Sequence, residues 1–167
     1  MNDNSALYAF NKFCDTVLRA AFAMTGSYSE AEDITQEVFL TLHARPQKFE
    51  TEEHMKAWLL RSAINRCKNY RKSARIIKNS VLDETLENTL SCEFTSRDNE
   101  IREMIARLPE KYSSVIFLYY FEEYTIKEIA LLLEKNENTV SSLLQRGRKK
   151  LKTELEKEGY IYETKRV

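Results

Sequence analysis

The segment TIKEIALLLEKNENTVSSLLQRGRKKL, Thr125 to Leu151, decides how this chain is read. Thr125 followed three positions later by Glu128 is a capping box, and Ile126, Ile129, Ala130 and Leu133 give the helix it opens one apolar side. A short polar turn follows. Asn136 is of the type that caps a second helix, expected from about Glu137 to Glu156. Projected at about 100° per residue, Val140, Leu144, Leu151 and Leu155 fall together, with Asn138, Thr139, Ser142, Gln145, Arg146 and Lys149 opposite them. This is the helix-turn-helix pattern, in which the second helix enters the DNA major groove. Asn and Gln bond bidentately to adenine and Arg to guanine, while Lys149, Lys150 and Lys152 suit phosphates. The plainer alternative for this segment taken alone is a bundle helix with a solvated basic flank.

The charges support the first reading. The chain has 26 basic and 26 acidic residues, yet residues 61–78 carry seven basic and no acidic groups and residues 139–153 carry five and none. The rest is acidic, with net charges of −4 over 1–60 and −7 over 79–138. Phosphate attraction falls off within a Debye length, so two local cationic strips suffice to bind a polyanion. In the first strip Arg61, Asn65, Lys68, Lys72 and Arg75 step by four, three, four and three residues. They therefore line about 20 Å of one helix face, with Asn69 on the same side, and form a phosphate track. Trp58, at the margin of that row, reads as a packing anchor rather than a base platform.

Working outward, three Gly and two Pro in 167 residues disfavour a turn-rich β-fold or a Gly-rich phosphate loop. Leu7, Phe10, Cys14, Val17, Leu18, Ala21 and Met24 mark a first helix that stops at Gly26. Ser29 with Glu32 reads as the capping box of a second helix, whose apolar stripe is Ala31, Ile34, Val38 and Leu42. A third helix is expected from near Thr51 to about Lys78, and periodicity weakens between Asn79 and Arg97. It resumes with Ile101, Met104, Ile105 and Leu108, then, after Pro109, with Tyr112, Val115, Ile116 and Tyr119. The expected fold is all-α, with two small helical domains over 5–78 and 99–160, read as independent globules, joined by an acidic linker over 79–98. The longest apolar run, Val115 to Phe121, falls far short of the roughly 20 residues that span a bilayer. A cytoplasmic protein is expected, with Cys14, Cys67 and Cys92 as reduced thiols.

Opposite its buried stripe the second helix carries Asp33, Gln36, Glu37 and Leu40, an apolar centre with a polar rim that suits a protein partner. An enzyme reading of Glu30, Glu32, Asp33 and Glu37 is weak. Adjacent carboxylates diverge by about 100° around the helix, no His shares their side, and acidic residues in a first turn already complement the helix dipole. His43 and His54 read as solvent-exposed. With no nucleophile paired to a base, neither enzymatic activity nor a metal or cofactor is expected.

Ala31-Glu-Asp-Ile-Thr-Gln-Glu-Val-Phe39, Ala57-Trp-Leu-Leu-Arg-Ser-Ala-Ile-Asn65, Leu108-Pro-Glu-Lys-Tyr112 and the helix-turn-helix together resemble the bacterial sigma-70 superfamily. The length and two-module layout resemble its smallest group, the extracytoplasmic-function sigma factors. The resemblance implies a transcription initiation factor that binds core RNA polymerase and directs it to promoters. Region two would span 5–78, with Asp33, Gln36 and Glu37, beside Leu40, facing the polymerase clamp. Arg61, Asn65, Lys68, Asn69, Lys72 and Arg75 would face the minus-ten element, and the loop from about His43 to His54 would hold an unstacked base. Region four would read the minus-thirty-five duplex through Asn138, Thr139, Ser142, Gln145, Arg146 and Lys149. The linker would thread the polymerase's basic channel, and an anti-sigma factor that releases the protein on stress is a usual partner. Glu134 and Lys135 stand where related turns often have Gly and an apolar residue, and Ser141 and Leu143 where basic residues are common, which implies an altered promoter sequence. Two other readings are a duplex-binding regulator with a sensing or dimerising N-terminal module, and a metal-dependent nuclease that a chelator would silence.

Overall fold

A computed structural model describes residues 4–77 and 96–159. Most of the expected linker and Cys92 lie outside the described residues, as does the side chain of Arg75. All regular structure among the described residues is helical: α1 Asn4–Thr25, α2 Tyr28–Ala44, α3 Glu52–Ile77, α4 Ser96–Arg107, α5 Glu110–Tyr120, α6 Ile126–Leu133 and α7 Glu137–Lys157.

Local chemistry sets most of the boundaries. Gly26 ends α1 in the left-handed region (φ 71°), its N–H donating to the Phe22 carbonyl at 2.9 Å. The turn leaves no room for two further residues before α2, so Ser27 caps that helix, accepting from the Glu30 N–H. This corrects the sequence expectation of Ser29 with Glu32: Ser27-x-x-Glu30 fits the same pattern, and the adjacent Gly26 decides between them. The Thr51 hydroxyl accepts from the His54 N–H at 3.1 Å at the start of α3. Thr125 and Glu128 form the full capping box of α6, and the Asn136 side chain accepts from the Thr139 N–H at 2.7 Å to open α7.

Helix α1 is the centre of the molecule. Ala20, Ala21, Phe22, Ala23 and Met24 are all buried, so the helix is enclosed on every side near its C-terminal end. One side packs on α2 and α3, the other on α4 and α5. The two modules therefore share one continuous core, where the sequence pattern treats them as independent globules. Ala106 of α4 lies 3.5 Å from where a Cβ on Gly26 would sit, an ordinary packing distance, so the left-handed backbone rather than crowding is what favours glycine there. Arg71 of α3 donates to the carbonyls of Ala106 at 2.9 Å and Leu108 at 3.1 Å, satisfying backbone acceptors left open at the C-terminal end of α4. Trp58 is half-buried and edge-to-face with Phe49 at 5.9 Å, the packing role expected of it.

Candidate partner and nucleic-acid interfaces

Between α1 and α2 runs an open groove of about 510 Å³. Phe10, Cys14, Leu18, Phe39 and Leu40 form its apolar surface, with Glu32, Asp33 and Gln36 among the polar lining residues. Leu40 is 58% exposed and Phe10 45%, and the Phe10 ring meets the edge of Phe39 at 5.2 Å. Burial pushes the Cys14 thiol above its ordinary pKa. The structure thus brings Asp33, Gln36 and Leu40 to one groove. Glu37 is exposed but turned toward α3, where its carboxylate lies 3.4 Å from Arg66 Nε. Arg66 is held there by the Thr41 hydroxyl at 2.6 Å and the Ser62 hydroxyl at 2.7 Å. Leu7 and Phe10, read from sequence as part of the buried stripe, are exposed. Their apolar character is a signal that sequence alone does not separate from core.

On α3, Asn65, Asn69 and Lys72 are exposed, Arg61 and Lys68 half-buried, and Arg75 has no described side chain. Arg61 is ion-paired with Glu134 of the α6–α7 turn. One turn earlier Lys56 pairs with Glu122 at 2.7 Å and sits 5.5 Å from the centre of the Tyr124 ring. Burial, reinforced by Glu122, Glu128 and Glu53, pushes the Tyr124 hydroxyl up to about 12. Trp58, Arg61, Tyr124 and Leu131 line a second groove, of about 320 Å³, where α3 meets α6.

On α7 all six residues selected from the sequence, Asn138, Thr139, Ser142, Gln145, Arg146 and Lys149, are exposed. The opposite side buries Val140, Leu143, Leu144, Gly147 and Leu155, with Leu151 half-buried. Leu143 is therefore core rather than a lost basic contact. Arg148 donates to the Tyr120 hydroxyl at 2.6 Å and lies over the rings of Tyr119 and Tyr120, which ties it to the flank of the helix. Glu134 occupies the left-handed region (φ 55°, ψ 45°), and Lys135 N–H reaches back to the Ala130 carbonyl at 2.9 Å, the closing bond of a Schellman turn. His43 and His54 are exposed. Among the described residues no group of three His, Cys, Asp or Glu is placed to hold a metal, and no helix is long and apolar enough to cross a membrane.

Comparison with known proteins places names beside this geometry. The family model for sigma-70 region 2 matches residues 9–77, and that for sigma-70 region 4 matches residues 98–151. RNA polymerase sigma factor SigV of Bacillus subtilis (strain 168) is 30% identical over 145 residues, covering 84% of this chain and 84% of that protein. The ECF RNA polymerase sigma factor SigW of the same organism is 29% identical over 161 residues, covering 84% of this chain and 83% of its own length. The fold is similar to that of sigma factor RpoE from Bartonella quintana, solved with the anti-sigma factor NepR. The TM-score is 0.72 at 19% identity, over 90% of this chain and 96% of that one.

Proposed function

This chain belongs to the sigma-70 family of RNA polymerase sigma factors, in its extracytoplasmic-function group, and from that premise we propose how its surfaces divide the work. It is a transcription initiation factor that brings core RNA polymerase to particular promoters.

Residues 5–78 act as region two, 79–98 as the linker and 99–160 as region four. The α1–α2 groove docks core polymerase. Leu40 and Phe10 supply the apolar contact, Asp33 and Gln36 the polar rim, and Glu37 a flanking charge. On α3, Asn65, Asn69 and Lys72, with Arg61, Lys68 and Arg75, follow the strand of the minus-ten element. On α7, Asn138, Thr139, Ser142, Gln145, Arg146 and Lys149 read the minus-thirty-five duplex. The observation that carries the reading is that all six of those residues are exposed on a capped helix whose other side is core. The chain contributes binding and orientation and no chemistry of its own, and it works in the cytoplasm. RpoE in its co-crystal structure is bound by an anti-sigma factor; a partner of that class covers the polymerase-facing groove here and releases it on stress.

The test is comigration of the chain with core polymerase and promoter-dependent runoff transcription. Leu40→Asp and Gln36→Ala are expected to weaken assembly, and Glu37→Lys to weaken it less because Glu37 lies outside the groove lining. Wild-type assembly by both Leu40→Asp and Gln36→Ala would remove the groove from the account.

A further inference from the structure

We propose that α5 is a crossbar that sets two phosphate-binding sites on the flanks of α7, Arg148 with the Tyr120 hydroxyl forming one and Lys111 with Lys150 the other. This rests on the reading of α7 as the duplex-facing helix, made above, and adds what fixes the depth and angle of that helix in the groove.

Projected at about 100° per residue, the six reading residues of α7 centre on Ser142, and Arg148 and Lys150 lie about 100° to either side of them. A major groove about 12 Å wide closes around a helix of about 10–12 Å, so a helix whose middle meets base edges has a phosphate wall at each flank. Cations at the two flanks therefore face opposite strands.

Each flank cation is held by a tyrosine of α5. Helix α5 passes beneath α7 where Ile116 packs against Gly147, and Ile116 stands four residues from both Tyr112 and Tyr120. The two ends of α5 thus emerge on opposite sides of α7. On one side Arg148 donates from Nε to the Tyr120 hydroxyl at 2.6 Å, and its guanidinium lies 5.5 Å and 5.6 Å from the centres of the Tyr119 and Tyr120 rings. Those rings stand at 77° to one another, which fixes the guanidinium from two directions. Its two terminal nitrogens remain to fork onto a phosphate, and the Tyr120 hydroxyl, which accepts from Arg148, keeps its own hydrogen to donate to the same anion. On the other side Lys111 and Lys150 lie 5.0 Å and 5.8 Å from the centre of the Tyr112 ring.

No carboxylate neutralises these three cations. Among the described residues Arg148, Lys111 and Lys150 form no ion pair, and Glu154, one turn beyond Lys150, is taken by Lys157 at 2.9 Å. A guanidinium fixed by two rings and a hydroxyl, yet left without a counter-ion, has the form of an anion site ordered before its ligand arrives. The two sites differ in kind. Arg148 with Tyr120 is a rigid fork that seats one phosphate, while the lysines are flexible point charges that follow the opposite strand.

The test uses holoenzyme formed from core polymerase and the full chain, on a duplex carrying the upstream block that this holoenzyme enriches from a randomised template pool. Ethylation interference then reports each phosphate separately. Arg148→Ala is expected to lose interference at phosphates of one strand and to weaken binding about tenfold, and Tyr120→Phe to lose it at those same phosphates with binding about threefold weaker. The Lys111→Ala/Lys150→Ala double variant should lose interference on the other strand. All of these should leave intact the base preference that Arg146→Ala relaxes. The four substituted residues are exposed, and Tyr120→Phe keeps the ring, so loss of folding is not the expected confounder. Wild-type interference by Tyr120→Phe, or loss on the same strand by the arginine and the lysine variants, would overturn the crossbar. Selection of no upstream block, or an unchanged base preference in Arg146→Ala, would instead overturn the reading of α7, and the crossbar with it.

Discussion

Gly147 shows how far a single position constrains α7. A Cβ there would lie 2.9 Å from Ile116 Cδ1 and 3.4 Å from Tyr112 Cβ, so the α7 backbone packs directly against side chains of α5. Gly147→Leu is expected to overpack this seam and lower the stability of the chain by about 1–3 kcal/mol, read as a shifted midpoint in urea. Cys67 makes a second residue-scale prediction. Burial pushes its thiol up to about 12, so at pH 8 it is neutral and enclosed. Mass spectrometry after iodoacetamide treatment should find Cys67 unmodified in the native chain and modified in urea. Rapid native labelling would mean that the α1–α3 core opens readily. Residue placement was unevenly legible. The exposure of the six residues selected on α7 follows from a projection that needs only the helix itself. Leu143 does not, because whether it is core or surface depends on where α5 and α6 sit, and Glu37 turns to Arg66 for reasons that lie on α3.

At the scale of the element, helix ends were the most readable features because capping is local. The Thr125–Glu128 box and the Asn136 cap lie where their spacing places them. Thr125→Ala is expected to cost about 1 kcal/mol, measured by chemical denaturation. Hydrogen bonds from the Thr125 N–H and hydroxyl hold the Glu128 carboxyl below the usual carboxylate range. A lowered folded value means that the ionised cap stabilises the fold fully above the unfolded value of about 4.3. That contribution is lost as pH falls through the folded one. Glu128→Gln should therefore flatten part of the acid dependence of stability. On α7, Lys149→Ala should weaken duplex binding evenly across sequences and reduce the slope of log K against log salt by about one. Arg146→Ala should instead relax preference at one base position, at a cost of about 1–3 kcal/mol, as read from a panel of substituted duplexes. What sequence did not disclose about the elements is the second buried side of α1. Ala20, Phe22 and Ala23 lie off the first stripe, and the helices that cover them come 80 or so residues later.

For the whole molecule, a formal charge of zero conceals an internal complementarity. The charge blocks were visible along the chain, and with them the division into two helical modules. Their docking was not, because ion pairs such as Lys56 with Glu122 join positions whose proximity no periodicity encodes. The proposed division of labour, with the row on α3 and the face on α7 addressing different DNA elements, makes separate demands on the two modules. Transcription by core polymerase with this chain, from a template pool randomised upstream of the start site and followed by sequencing of the productive templates, tests that division most directly. The account predicts two enriched blocks, the upstream one altered by Arg146→Ala and the downstream one by Asn69→Ala. A single block, or two blocks of which the same one responds to both substitutions, would contradict it.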